Sequence, residues 1–319
     1  MPATAALRPL GSSGLDVHPI CLGGNVFGWT ADREASFAVL DAYVAAGGNF
    51  VDTADSYSSW APGNRGGESE RVIGAWLADR GRPDGLVLAT KVGPGSEDLP
   101  QGLGREHVLA GAEASRRRLG VETIDLYYAH RDYPERPLDE TLRALDELVG
   151  AGAVRALGAS NYANDRLAHA LELQSANGLT PYTAVQPRLN LVDRDVDQRL
   201  ADLGERHGLG LAVYSALASG FLSGKYRPGQ AVPDSARAGG IVSRFLDDER
   251  ALRILAAADR VATRHDATTA QVALAWALAQ RAVTSVIVSA TSPAQLTELL
   301  GATELELGGD DLAELDAAG

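Results

Sequence analysis

Four side chains that could move a proton fall at or just beyond the ends of apolar runs in this chain. In "NFVDTADSY" (49–57), Asn49-Phe50-Val51 reads as the start of a buried strand, which then ends in Asp52, with Asp55 and Tyr57 close behind. "LVLATK" (86–91) ends in Lys91, and "IDLYYAH" (124–130) ends in His130. Taken singly, each has a plain structural reading. Asp52 could be a turn former, Lys91 a lysine with its stem on apolar surface, Tyr57 a packed ring with a bonded hydroxyl, and His130 a loop residue. Three consecutive strands that each end in an ionisable group, with a tyrosine just past one of them, are hard to obtain from packing needs alone. The set suits acid–base chemistry in a shared pocket.

The elements around these residues alternate. Candidate strands at 20–24, 49–53, 86–91, 124–130, 154–160, 182–187, 211–216 and 285–290 are separated by amphipathic segments such as 34–46, 68–80, 105–119, 138–150 and 164–176. Such alternation implies parallel pairing through right-handed crossovers. Eight evenly spaced units predict a closed (β/α)8 barrel, formed as one domain over 1–319, in preference to an open doubly wound sheet. The barrel would gather every C-terminal strand end at one mouth. Ser160 and Asn161 would then join Asp52, Lys91 and His130 there, with Gln186, Tyr214, Ser215 and Ser289. Two regions break the rhythm. Around "GSSG" (11–14), residues 7–20 predict a β-hairpin covering one end of the barrel. After strand 7, residues 217–248 predict a long Gly-, Ser- and Pro-rich loop, followed by helices at 249–265 and 268–281. Thr268 and Gln271 have the spacing of a capping box.

Composition narrows the partners. The 319 residues carry a formal net charge of -13, which argues against a nucleic acid or an anionic membrane as the main partner. No apolar stretch approaches a bilayer span, and the N-terminus lacks a targeting pattern. One cysteine, Cys21, excludes an internal disulfide. We expect a cytoplasmic protein. No pair of histidines has helical ligand spacing, so no metal site is expected. "SGFLSGKY" (219–226) is too short between its glycines for a phosphate-binding P-loop. No strand is followed by G-x-G-x-x-G, so a Rossmann dinucleotide site is not supported.

The motifs resemble the aldo-keto reductase superfamily along essentially the whole chain. "NFVDTADSY", "LATKVG" (88–93), "DLYYAHR" (125–131), "LGASNY" (157–162), "VQPRLN" (185–190), "SALASGFLSGKY" (215–226), "QVALAWAL" (271–278) and "ATSPAQLTE" (290–298) carry the likeness. The resemblance implies a (β/α)8 barrel that binds NADPH and reduces aldehydes and ketones. It implies Tyr57 as general acid, Lys91 beside it, Asp52 paired with Lys91, and His130 polarising the carbonyl. Ser160, Asn161 and Gln186 would hold the nicotinamide carboxamide, and Tyr214 would stack on its ring. Ser215, Leu217, Ser219, Gly220 and Lys225 would cover the pyrophosphate. Ser289, Thr291, Gln295 and Glu298 would hold the adenosine end. On physical grounds, a cation about 4 Å from a phenol favours its ionised form by up to ~4 kcal/mol at an effective dielectric of ~20, with burial opposing. We therefore expect the Tyr57 hydroxyl to be lowered by roughly 1–3 units from its usual ~10.

The adenosine segment differs from the family's usual form: Val288, Ser289 and Leu299 stand in place of a proline, a glycine and an asparagine. NADP(H) is the expected cofactor, with NAD(H) as the alternative. Ser292, Pro293 and Gln295 also read as a helix start, and a helix N-terminus suits an anion. For the small carbonyl substrate, Phe27, Trp29, Trp60, Arg131 and Arg188 are the mouth candidates. Oligomeric state is left open. Two rival functions deserve tests: a nicotinamide-nucleotide sensor or regulatory subunit with slow reductase activity, and a lyase using Lys91 as a Schiff-base amine.

Overall fold

A computed structural model describes residues 5–96 and 99–319. The first four residues, read above as lacking a targeting pattern, lie outside the described residues. Eight strands close into a barrel in the order β10-β3-β4-β5-β6-β7-β8-β9, every neighbouring pair parallel. They are β3 (Ile20–Gly23), β4 (Phe50–Asp52), β5 (Val87–Val92), β6 (Ile124–Ala129), β7 (Val154–Ser160), β8 (Tyr182–Gln186), β9 (Gly210–Val213) and β10 (Val283–Val288). All eight predicted strands form, and the fold is a (β/α)8 barrel. The crossover and outer helices are α1 (Arg33–Ala45), α2 (Glu68–Arg80), α3 (Arg105–Leu119), α4 (Leu138–Gly150), α5 (Asn164–Asn177), α6 (Gln198–His207), α7 (Ala238–Ile241), α8 (Glu249–Arg264), α9 (Thr269–Leu278), α10 (Pro293–Leu300) and α11 (Gly309–Ala318).

The barrel interior is filled from below. The hairpin β1 (Arg8–Pro9) and β2 (Asp16–Val17) is antiparallel. Its Leu10, Leu15 and Val17 pack with Cys21, Phe50, Leu126, Tyr128, Ala184 and Ile287 inside the strands. Gly11 makes this docking close: its φ is +55°, and an added Cβ would lie 2.4 Å from backbone atoms of Thr183, Gly208 and Gly210. Gly158 serves the interior similarly, because a Cβ there would meet the Tyr128 ring at 2.4 Å. With the bottom plugged by apolar groups, the polar strand ends lie at the top.

The predicted long loop after β9 has more structure than its composition suggested. It contains a 3-10 turn (Ala218–Ser223), α7 and a π-turn (Val242–Leu246) before α8 begins. Phe221 and Phe245 are buried and stack at 4.7 Å, which fastens two parts of the loop together. Asp248 caps α8, accepting from the backbone of Arg250 and Ala251. Thr268 and Gln271 form the capping box of α9. That helix ends at Leu278, three residues short of the expected 281.

Candidate active site

Strand register decides which polar groups meet. Asp52 is the last residue of β4 and sits opposite Ala89 of β5, so Lys91 lies one pleat further along on the same inward face. Beyond the end of β4 the pairing continues: Thr53 N–H donates to Ala89 O at 2.8 Å, and Asp55 N–H to Lys91 O at 3.1 Å. This holds the Tyr57 turn alongside Lys91. The Lys91 ammonium spends its three protons on Asp52 Oδ2 (2.7 Å), Thr53 O (2.7 Å) and Tyr57 Oη (2.8 Å). Tyr57 Oη is also 3.2 Å from Asp52 Oδ2 and donates to it. The second Asp52 oxygen accepts from Gln186 Nε2 at 2.8 Å. Asp52 and Lys91 are fully buried, whereas Tyr57 keeps part of its ring at the surface.

The electrostatics overturn one expectation. Instead of being lowered, the Tyr57 hydroxyl is held well above the ordinary tyrosine range, by burial first and by the Asp52 carboxylate second. The reason is that Lys91 does not act as a lone cation. It forms a pair with Asp52 that has no net charge, and the phenol touches both members. Burial lowers the Lys91 ammonium, while Asp52 opposes that shift. Tyr57 is therefore a fully protonated phenol whose hydroxyl is already bonded to the ammonium that would receive its phenolate. His130 follows β6 directly, and its ring meets the Tyr57 ring edge-on at 5.9 Å. Burial, Lys91 and Arg131 lower its pKa well below the usual value, so the imidazole is neutral near pH 7. Its Nδ1 is buried with no hydrogen-bond partner among the described residues.

A cavity of about 600 Å³ opens beside Tyr57. Its lining includes Tyr214, Ser215, Leu217, Ser219, Gly220, Lys225, Ser289, Thr291 and Gln295, nine of the residues assigned to the cofactor. Backbone strain collects along it. Ser215 (φ +60°), Ala218 (φ +48°), Ser219 (φ +60°) and Gly220 (φ +110°) all take left-handed conformations. For non-glycine residues such conformations cost of order 1–3 kcal/mol each, and they cluster at ligand clamps. The remaining cofactor candidates lie elsewhere. Ser160, Asn161 and Gln186 do not line the cavity but form a network beside it. Ser160 Oγ donates to Gln186 O (2.8 Å), Asn161 Nδ2 to His130 O (2.8 Å), and Tyr214 Oη to Asn161 Oδ1 (2.5 Å). Glu298 faces a separate polar pocket with Asp259 and Thr268, so the structure removes it from the groove wall. Leu299, in the place of the family's asparagine, is 2 % exposed and packs inward. Ser292 caps α10, as read from the sequence, but Gln295 turns its side chain back to the Thr291 N–H at 2.9 Å.

Among the substrate candidates, Trp60 is half exposed and meets Tyr57 at 6.1 Å and Trp29 at 5.7 Å, both edge-on. Arg131 is exposed beside His130, and Arg188 lines the cavity. Phe27 corrects the sequence reading: it is 0 % exposed, so its ring belongs to the core and cannot wall an open mouth. Sequence reasoning missed Asn25, which accepts from Ser289 Oγ at 2.6 Å, and it missed Arg237 and Arg244. With Arg188 and Lys225, these two arginines bring four basic side chains to the cavity wall beside Asp234, of which Arg244 is already paired with Asp193 at 2.5 Å. The long loop carries Lys225, Arg227, Arg237 and Arg244, and only folding decides which of them reach the cavity. Among the described residues, no three His, Cys, Asp or Glu side chains gather as a metal site. Among the same residues, no helix is long and apolar enough to cross a membrane.

The family model for the Aldo/keto reductase family matches residues 19–319. A probable voltage-gated potassium channel subunit beta of Arabidopsis thaliana is 32% identical over 309 residues, covering 93% of this chain and 91% of that protein. A protein of the same description from Oryza sativa subsp. japonica is 32% identical over 308 residues, with the same coverage. Protein tas of Escherichia coli (strain K12) is 32% identical over 332 residues, covering 96% of this chain and 95% of its own. The likeness spans the strands that carry Asp52 and Lys91 as well as the loops that wall the cavity, and the chain belongs to the aldo/keto reductase family.

Proposed function

We propose that the protein reduces an aldehyde or ketone to an alcohol with NADP(H), with Tyr57 as the general acid. The observation that carries this reading is the three-way contact of Lys91 with Asp52 and Tyr57 at the edge of the cavity. The residues present fit a dinucleotide. Arg188, Lys225 and Arg237 suit its phosphates, and the strained 215–220 turn lines the wall where it would lie. When bound, the reduced nicotinamide supplies a hydride. The chain's own residues do the rest. Tyr57 gives its proton to the carbonyl oxygen, and the Lys91 ammonium at 2.8 Å then stabilises the phenolate left behind. Neutral His130 orients the carbonyl oxygen through an N–H donor. Asp52 fixes the ammonium, since an unpaired buried ammonium would lose its proton instead. Trp60 and Trp29 provide an aromatic wall for the substrate.

A panel of aromatic and alicyclic aldehydes and ketones, assayed with NADPH and NADH, tests this reading. Turnover with NADPH is expected; its absence throughout the panel would sink the proposal, and tighter binding of NADH would move the assignment to NAD. The two plant relatives are named as probable channel subunits, which favours the second reading given above, a regulatory subunit that would bind the nucleotide with slow turnover. Under that reading the dinucleotide binds tightly while turnover is slow, so Kd and kcat measured together separate the two. The Schiff-base lyase fares poorly, because Lys91 is a buried, ion-paired ammonium with every proton bonded.

A further inference from the structure

Asp55 has no part in the mechanism above, yet it lies in the turn between Asp52 and Tyr57 and is 1 % exposed. Its backbone is tied to β5, with Asp55 N–H donating to Lys91 O at 3.1 Å. Neither carboxyl oxygen makes a hydrogen bond of good geometry among the described residues, and the backbone of Ser56 and Gly93 favours its charge only weakly. A buried carboxylate with so little hydrogen bonding is expensive, and a neutral carboxyl is cheaper. The charged and titratable groups facing it come from every neighbouring element. Glu70 on α2 repels its charge, Arg118 on α3 attracts it, and it acts in turn on Tyr127 of β6, on Tyr133 and on Lys91. Glu70 does not move to relieve it, because its two oxygens accept from Thr90 Oγ1 (2.6 Å) and Arg118 Nε (2.7 Å).

We propose that Asp55 is a positioning residue for this reaction: a buried carboxyl, tied through its backbone to Lys91, whose charge sets through that lysine how easily Tyr57 releases its proton. The inference rests on the reductase reading. During reduction the Tyr57 O–H bond breaks, the proton bonds to the carbonyl oxygen, and a negative charge remains on the phenol oxygen beside Lys91. With Asp55 neutral, Lys91 meets that charge with only Asp52 to offset it. With Asp55 ionised, a second anion counters the ammonium and disfavours the phenolate. Burial, followed by Glu70, places the Asp55 pKa at about 7. Reduction should therefore slow as pH rises through neutrality, and oxidation of the alcohol, which starts from the phenolate, should respond in the opposite sense. His130 is already neutral in this range, since its pKa lies well below the usual value.

The test is single-turnover carbonyl reduction by the enzyme preloaded with NADPH, from pH 5.5 to 8.5, in wild type and Asp55→Asn. The wild-type rate should fall roughly 3- to 10-fold across neutrality, the effect of about half to one pKa unit of interaction. Asp55→Asn should hold the fast rate to the upper end. An inflection that survives unchanged in Asp55→Asn overturns the inference while leaving the reductase intact. A wild type that reduces no carbonyl overturns the reductase reading, and this inference with it. Isotope-edited infrared titration of the wild-type carboxyl needs neither turnover nor a folded variant. A carboxyl band converting to carboxylate near neutrality supports the proposal, and one protonation state throughout the range rejects it.

Discussion

Adjacent residues of β5 serve two buried ion pairs of opposite character. Lys91 points into the barrel and pairs with Asp52 at 2.7 Å. Thr90 points out toward α2 and donates to Glu70, which pairs with Arg118 at 2.7 Å. Both pairs are desolvated, with side-chain exposures of 0% and 0% in the first and 5% and 0% in the second. The difference lies in residue type and in the third partner. An arginine is always charged, so Arg118 can anchor α3 to α2 but cannot exchange a proton near neutrality. A buried lysine shifts readily, and the third proton of Lys91 goes to a phenol at the edge of a cavity. Burial alone therefore does not mark a reacting group. In the proposed reaction, what distinguishes the inner pair is its one contact, through Tyr57, that faces the cavity.

Breaking each pair should separate the two roles, and the largest effect belongs to the phenol. Tyr57→Phe should slow the chemical step by about 10²–10⁴-fold or more, with fold and cofactor affinity nearly unchanged. Lys91→Met should slow the same step, and the double variant should lose far less than the product of the single losses. Single-turnover hydride transfer with cofactor titration decides; normal turnover in Tyr57→Phe would remove Tyr57 from the acid role. Next comes the outer pair. Arg118→Met leaves Glu70 buried without its cation and should cost about 3–5 kcal/mol in denaturant unfolding. Well below neutrality, where Asp55 is already protonated, the rate of the protein that remains folded should change little, and a large rate loss there would erase the distinction drawn above.

Asp55 sharpens the comparison through pH. Its native pKa of about 7 lies above the roughly 3.9 of an unfolded aspartate, so the native state holds a proton that the unfolded state releases. Stability from this group is present in full below about pH 4 and is lost as pH rises to about 7. Asp55→Asn should therefore unfold at higher denaturant than wild type at pH 8, by up to ~4 kcal/mol, with the gap closing toward pH 4. An equal gap at both pH values would contradict the assignment. The smallest effect is expected at the cavity rim. Lys225 is exposed, and Lys225→Met should weaken dinucleotide binding by about fivefold, or ~1 kcal/mol, with a shallower salt dependence than wild type. Unaltered affinity in low salt would remove Lys225 from the phosphate path.

The sequence made much of this site legible because the barrel converts order into place. Once β4, β5 and β6 run parallel, the residues at their ends must meet, and Asp52, Lys91 and His130 could be read from their positions alone. The capping residues Thr268 and Ser292 were equally local, since a cap needs only its own first turn. Phe27 was misplaced because it lies in an irregular turn whose direction only packing sets, and Glu298 because helix α10 presents it to the pocket of Asp259 and Thr268. Arg237 and Arg244 went unseen for the same reason: they sit in a region without periodicity, where spacing carries no direction.

Residue types and their order along the chain thus determined the fold, the family and the list of groups able to exchange a proton. Tertiary structure decided the state of those groups. It paired Lys91 with Asp52 so that the two carry no net charge, and it thereby left Tyr57 a protonated acid where the sequence suggested a lowered one. It also buried Asp55 beside Glu70, with only weak backbone contacts from Ser56 and Gly93 to favour its charge. Both outcomes depend on distances between side chains brought together by strand register and on the water excluded around them. Electrostatic energies in a low-dielectric interior follow those distances, and no local pattern in a sequence fixes them.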